Sequence, residues 1–310
     1  MQFARSGQAP SGRAKGRSSF KRRDLIAGLI FTSPFIIGFL AFYAYPLGAS
    51  FWYSLTNFNL IQAPTFIGIR NYSDLLFSDS LFLTALRNTS YYTIASVPLQ
   101  LVVSFAIAML LNTKLYLRGL FRALYFFPAI VPSVVAGVLW TAMLNPEGGI
   151  VNLALNVFHI PGPNWLGSTA WAMPALILVT VWGSGTTIVV FLAGLQDVPV
   201  SLREAAQLDG ANGWQVITRV IVPLVSPVIL FNFITNLIGA FQVFALPYVM
   251  TGGGPVNATL VYSQYMYQAA FGDLHLGYAS AMAWILFLII GVLTYISLRV
   301  SRSRVSYAGL

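Results

Sequence analysis

A chain of 310 residues that is 57% hydrophobic and only 8% charged has too little polar surface to coat a water-soluble globule, because soluble domains carry about 25% charged residues. Its net charge of +9 does not mark a nucleic-acid partner, because the bases flank long apolar runs, where they set topology and meet anionic headgroups. The absence of cysteine removes disulfides, thiol catalysis and cysteine metal sites.

Crossing about 30 Å of hydrocarbon takes roughly 17 to 25 predominantly apolar residues. Six such runs occur, at about 25–45, 89–111, 124–143, 172–195, 225–249 and 277–298, and none contains Asp, Glu, Lys, Arg or His. The predicted fold is an all-α membrane protein with six transmembrane helices. A basic tail 1–24 precedes a membrane domain 25–300, and a short tail 301–310 follows it. The first run also follows the pattern of a secretory signal, but its length of about 21 residues exceeds the usual 7–15 of a signal core. Cleavage there also leaves an odd number of spans, so the reading is an uncleaved first helix. The loops 46–88, 144–171 and 250–276 keep only Arg70 and Arg87, whereas every other Lys and Arg lies in 1–24, 112–123, 196–224 or beyond 298. Basic loops stay inside, so both termini are predicted to be cytoplasmic. Phe42, Tyr43, Tyr45, Phe51, Trp52, Tyr53, Tyr91 and Tyr92 gather where a headgroup-level aromatic belt is expected.

The cytoplasmic connection Gln196–Leu224 specifies two short helices. Ser201-Leu202-Arg203-Glu204 has the spacing of a capping box, with Pro199 setting the approach. Ala205, Ala206, Gln207 and Leu208 continue the helix, and Asp209-Gly210 stops it, glycine being suited to the left-handed conformation of a helix end. A second helix is expected from about Gly213 to Val222, ended by Pro223.

The string Glu204-Ala205-Ala206-Gln207-Leu208-Asp209-Gly210-Ala211, followed by Val220-Ile221-Val222-Pro223, resembles the EAA loop of ABC importer permeases. The spacing to Gly210 and Pro223 is intact, while Val220 and Val222 stand in for Ile and Leu. A second stretch, from Phe244 to Phe271 and on through Gly277-Tyr278-Ala279-Ser280-Ala281-Met282, is similar to the sugar branch, the maltose-type and glycerol-phosphate-type permeases. The resemblance covers about residues 25–300. It implies a type I importer permease domain in a bacterial or archaeal cytoplasmic membrane, embedded in the lipid bilayer. The implied partners are a second permease subunit that is usually a homologue, an ABC ATPase dimer, and an extracytoplasmic solute-binding protein. It also implies that Glu204, Ala205, Ala206 and Gly210 transmit motion from the ATPase, with Glu204 either fixing its own loop or pairing with a partner base.

None of Lys15, Lys21 and Lys114 sits in a Gly-x-x-x-x-Gly-Lys-[Ser/Thr] phosphate loop, so ATP is not bound by that mechanism. An ion-coupled carrier usually needs an ionisable residue within the bilayer, and the six runs supply none. This counts against the competing reading, a stand-alone secondary transporter or channel. On the fifth run Asn232, Thr235, Asn236, Gly239 and Gln242 share one helical face at 100° per residue, spanning about 120° of arc. This uncharged polar stripe either meets a wet path for a polyhydroxylated solute or packs against another helix. Tyr248, Trp182 and Tyr125 are candidates for stacking on sugar faces. With no base in the membrane, glycerol phosphate ranks below oligosaccharides, monosaccharides and polyols as cargo. No cofactor, metal-ligating or catalytic residue is expected, since His159 and His275 lie in outer loops without a partner at ligand spacing.

Overall fold

The computed structural model describes residues 17–113 and 116–301. Residues 1–16 of the expected basic tail, Lys114 and the tail from 302 onward lie outside the described residues. The chain divides into two compact units, 1–52 and 53–310.

The first unit holds most of helix α1, the span Asp24–Ser54, which runs further than the hydropathy of 25–45 predicted. Pro46 is the obstacle to continuation, because its nitrogen donates nothing and its ring strikes the carbonyl four residues back. The chain answers with a π turn over Leu40–Ala44, in which the Tyr45 N–H reaches the Leu40 carbonyl, and the widened turn gives the ring room.

The second unit begins with α2 (Arg70–Phe77), α3 (Ser80–Leu111), α4 (Arg118–Ile130), α5 (Ser133–Met143) and α6 (Ile150–Val157). It continues with α7 (Ala172–Trp182), α8 (Gly185–Gln196), α9 (Val200–Leu208), α10 (Gly213–Leu224) and α11 (Ser226–Phe241). It ends with α12 (Ala245–Met250), α13 (Tyr262–Tyr267) and α14 (Leu276–Ser301). Among the described residues α1, α3 and α14 are long and apolar enough to cross a membrane, and the pairs α4–α5, α7–α8 and α10–α11, bent by 101°, 45° and 71°, bring the number to six where each pair counts as one span.

The predicted run 124–143 is therefore broken in its middle. Val131 (φ −70°, ψ 125°) and Pro132 (φ −57°, ψ 138°) are both extended, as expected of proline and of the residue before it. The run 172–195 bends at Gly183-Ser184, yet the bonds from Gly183 N–H to Val179 O (3.0 Å) and from Ile188 N–H to Ser184 O (3.1 Å) carry the ladder across. The run 225–249 stops at Phe241 and resumes after a break as α12.

Three apolar clusters organise the unit, and α3 contributes to all of them. Tyr92 and Val97 join Trp140, Leu176, Leu246 and Met250. Phe82 joins Leu75, Phe241, Tyr262 and Met282. Ala108 and Leu111 join Phe191, Leu195, Val216, Ile221 and Val225. Polar pins reinforce this packing: the Tyr92 and Thr180 hydroxyls lie 2.7 Å apart, and the Tyr262 hydroxyl donates to Met282 O at 2.7 Å. The first turn of α14 fits against the 53–58 segment so closely that a Cβ on Gly277 would lie 2.2 Å from the Thr56 carbonyl oxygen. Only glycine permits that approach.

One carboxylate ties three elements together at the end of α3. Asp79 caps that helix, its Oδ1 accepting from Leu81 N–H (2.9 Å) and Phe82 N–H (3.0 Å). Its Oδ2 accepts from the hydroxyls of Tyr265 at the α13 helix and Tyr278 of α14. Burial pushes the carboxyl upward, but the two tyrosine hydroxyls and the two amides outweigh it and hold the group below its ordinary value. A lowered folded value means the stabilisation is complete above the unfolded carboxylate range and is lost as pH falls through the folded value. Asp79→Asn is expected to cost about 2 kcal/mol. In detergent, thermal unfolding of the wild type should lose stability below about pH 4, and the variant should lack that step. An unchanged acid profile in Asp79→Asn would show that another carboxylate governs it.

Candidate functional site

Two regions carry the predicted site residues. The first is the connection from α8 to α11. Pro199 occupies the N-cap of α9 (φ −56°, ψ 128°), and no side-chain cap bond forms there. The helix thus starts at Val200, two residues earlier than expected, which places Ser201 inside the first turn and removes the predicted Ser201–Glu204 capping box. The stop is as expected at Gly210 (φ +82°). Gly210 N–H donates to Gln207 O (3.1 Å) and Ala211 N–H to Ala206 O (3.0 Å), the paired bonds of a Schellman ending.

A capping box does occur, one helix later. Asn212 Oδ1 accepts from Gln215 N–H at 2.9 Å, and Gln215 Oε1 accepts from Asn212 N–H at 2.9 Å. Its signal is the Asn-x-x-Gln spacing of Asn212 and Gln215, a second capping pattern that follows Ser201-x-x-Glu204 in the sequence. The second helix also outruns its expected end at Val222. A π turn over Ile217–Ile221, with Val222 N–H bonded to Ile217 O, accommodates Pro223 within α10, as the π turn of α1 accommodates Pro46.

The two sides of α9 and α10 differ. Val198, Val216 and Ile221 are buried with Ala206 and Ala211 packed against them, in the cluster that includes Phe191 of α8 and Leu111 of α3. On the other side Glu204, Ala205, Asp209 and Gly210 are exposed, among exposed Val200, Leu202, Leu208 and Trp214. Ala205 and Ala206, expected to act together, are thus divided between the outer surface and the bundle. Leu208 is 89% exposed, which is unusual for a leucine on a helix anchored this firmly.

The second region is α11. The five-residue stripe divides. Asn232 is 3% exposed, and its Nδ2 has no protein partner among the described residues. Asn236 is half-buried, and its Nδ2 donates to Thr187 Oγ1 of α8 at 3.3 Å. These two amides face the bundle. Thr235, Gly239 and Gln242 lie along an exposed edge, with open space beside Gly239. Thr235 Oγ1 bonds back to Phe231 O at 2.9 Å.

Tyr248 of α12 is half-exposed and stacks on Phe244 at 5.1 Å. Tyr125 of α4 is likewise half-exposed. Trp182 is partly buried beside the core and packs against Trp140 at 5.6 Å with the ring planes 75° apart. Thr187 and Tyr267 escape a reading of the sequence because their partners, Asn236 and Tyr248, lie far along the chain.

The joint between the two regions is Val225. Its N–H bonds to Ile221 O (2.9 Å) and its carbonyl accepts from Ile229 N–H (3.0 Å). Backbone bonding therefore continues from α10 into α11 through the 71° bend.

Compared with known proteins, residues 100–307 match the family described as binding-protein-dependent transport system inner membrane component. The chain is 37% identical over 305 residues to the probable ABC transporter permease protein YesP of Bacillus subtilis (strain 168), covering 97% of this chain and 98% of that one. It is 33% identical over 281 residues to the arabinooligosaccharides transport system permease protein AraP of the same organism, covering 89% of each. To the trehalose/maltose transport system permease protein MalF of Thermococcus litoralis it is 31% identical over 290 residues, covering 93% and 97%. Among solved structures, a chain of a bacterial ABC transporter involved in importing the acidic polysaccharide alginate shares the fold. The TM-score is 0.78 at 23% identity, covering 92% of this chain and 97% of that one.

Asn212→Ala is expected to cost about 1 kcal/mol and to speed hydrogen exchange at Gly213–Gln215 without changing the oligomeric state. Unaltered exchange there would show that the cap does not hold α10.

Proposed function

The chain belongs to the family of binding-protein-dependent transport system inner membrane components, and on that footing we propose that it lines half of the translocation path of an ATP-driven importer for a neutral carbohydrate. As a multi-pass membrane protein of this family it is a transport subunit. The observation that carries the cargo class is the exposed, uncharged edge Thr235–Gly239–Gln242 on a membrane-spanning helix. A polar edge facing lipid is costly, whereas amides, hydroxyls and exposed backbone suit a solute rich in hydroxyls. Relatives named for arabinooligosaccharides and for trehalose and maltose support the same class.

The exposed face of α9 is the natural contact for a separate ATP-binding subunit. Glu204 offers charge there, Ala205 and Gly210 offer close approach, and Leu202 and Leu208 offer apolar area. Ala206 and Ala211 fasten this face to the bundle, and Asp209 with Gly210 ends the helix so that the chain turns back. Pro223, held in the last turn of α10, leads to the Val225 joint. A push on α9 reaches α11 through the packed cluster and that joint, so the coupling surface and the path form one lever. The remaining partners in this reading are a second permease and an extracytoplasmic binding protein, in a bacterial or archaeal cytoplasmic membrane. A solved alginate transporter in complex with a sugar-loaded periplasmic protein supports the last of these.

The test is affinity purification of the tagged chain from membranes in mild detergent, with ATPase assays in the presence of candidate sugars. Recovery of an ATP-binding subunit and a second permease, with ATP hydrolysis stimulated by a sugar-loaded binding protein, is the expected result. A chain that purifies alone and transports after reconstitution would overturn the reading. Gly210→Pro removes the bond to Gln207 O and is incompatible with φ +82°, since proline holds φ near −65°. It should leave membrane insertion intact and reduce uptake by at least about tenfold, the effect of losing about 1.4 kcal/mol of coupling.

A further inference from the structure

Four aromatic rings meet at the end of α11, and their arrangement is more than a row of interface anchors. Phe244 stacks on Tyr248 with centroids 5.1 Å apart and planes 23° from parallel. Tyr267 lies 5.1 Å from Phe244 and 6.0 Å from Tyr248, and Phe271 continues the chain 5.1 Å beyond Tyr267. Tyr267 ends α13, and Phe271 lies in the π turn Gln268–Gly272 that follows, closed by Asp273 N–H to Gln268 O at 2.9 Å. The turn therefore sets the spacing of the last two rings. Turns of this type recur at functional sites.

Tyr248, Tyr267 and Phe271 remain 48%, 43% and 65% exposed, although each already spends part of its surface on a neighbouring ring. Gln268 is exposed between Tyr267 and Phe271, and Gln242 is exposed two residues before Phe244. The exposed edge of α11 rises through Thr235 and Gly239 to Gln242 and there meets the first ring. Helix α12 adds Tyr248, and the outer connection 250–276 supplies Tyr267 and Phe271.

We propose that Phe244, Tyr248, Tyr267 and Phe271 form a stacking platform for the rings of a neutral oligosaccharide at the outer end of the translocation path, with Gln242 and Gln268 at its edge. The chemistry favours this occupant over a lipid chain. The C–H faces of a pyranose or furanose ring lie on aromatic faces, and its hydroxyls need the donors and acceptors that two tyrosine hydroxyls and two carboxamides provide. None of the six side chains is charged, so an anionic cargo gains nothing there. A run of linked rings also matches a chain of sugars better than a single one, so the platform favours longer cargo. The proposal rests on the carbohydrate reading above and deepens it.

The experiment uses the assembled transporter with its partner subunits and binding protein in proteoliposomes, with maltose and maltotriose and with arabinobiose and arabinotriose as probes. The double variant Tyr248→Leu/Tyr267→Leu keeps apolar bulk and loses the π faces, while Tyr248→Phe/Tyr267→Phe keeps the faces and loses the hydroxyls. In the leucine variant, trisaccharide uptake per ATP hydrolysed should fall about tenfold and disaccharide uptake about twofold, with binding-protein-stimulated ATP hydrolysis unchanged; the phenylalanine variant should stay within about threefold of wild type. Equal uptake in all three proteins would overturn the platform. An equal loss for every sugar together with lower thermal stability would overturn it in favour of a packing or headgroup role. Loss of ATPase stimulation would overturn it in favour of a binding-protein docking surface. If the wild-type assembly forms and hydrolyses ATP but takes up neither sugar series, the carbohydrate reading falls first and the platform with it.

Discussion

Inside a bilayer, a backbone group without a partner has no water to turn to, and this constraint decides where the helices of this protein may break. The bends fall at Val131-Pro132, Gly183-Ser184 and Val225, and at each the hydrogen-bond ladder is patched. Val131 N–H takes Pro128 O at 3.3 Å, Ser184 N–H takes Val181 O at 3.2 Å, and Val225 N–H takes Ile221 O at 2.9 Å. At Pro46 and Pro223 a π turn makes room for the ring without a break in the helix. The functional geometry follows from these repairs. A straight fifth helix would carry the loop helix α10 and the stripe of α11 on one axis. The patched bend sets them 71° apart.

Side chains follow this constraint less strictly, since the buried Asn232 Nδ2 has no partner among the described residues. The amides of α11 do not form one wet stripe; Asn236 is spent on Thr187 and Asn232 is enclosed, which leaves Thr235, Gly239 and Gln242 as the exposed edge. The stripe is thus divided between adjacent arcs of one helix, an inward arc carrying Asn232 and Asn236 and an exposed arc carrying Thr235, Gly239 and Gln242. The contact of Asn236 with Thr187 ties the inward arc to α8.

Much of this was legible in the residues. Six charge-free runs gave six spans, and Gly210 announced its left-handed turn because glycine after a short helix with a polar end has few other uses. The errors share a cause. Hydropathy measures whether a segment belongs in lipid and is blind to whether it is straight, so 124–143 read as one helix although Val131-Pro132 cannot be helical. The Ser201 box failed because the same proline that marks the start of α9 takes the capping position itself. Trp182 reads as a candidate stacking face, and only the fold shows that it also packs against Trp140. Contacts such as Asn236 with Thr187, or Asp79 with Tyr265 and Tyr278, join residues far apart in the chain, and no local pattern encodes them.

The position of α3 explains how a rearrangement at the coupling surface can be felt at the opposite end of the bundle. That helix has 32 residues, about 48 Å at 1.5 Å per residue, and contributes side chains to all three apolar clusters. At one end Ala108 and Leu111 share a cluster with Val216 and Ile221 of α10. At the other, Asp79 gathers the hydroxyls of Tyr265 and Tyr278. Close-packed interiors transmit displacement because they do not compress, so a shift of α10 presses on a rod whose far end is knotted to α13 and α14. The ring of Tyr267 lies two residues beyond that knot, on the same short helix as Tyr265. In the proposed reading, gating at the inner loop and stacking at the outer rings need no separate machinery, since both act on opposite ends of one rigid element.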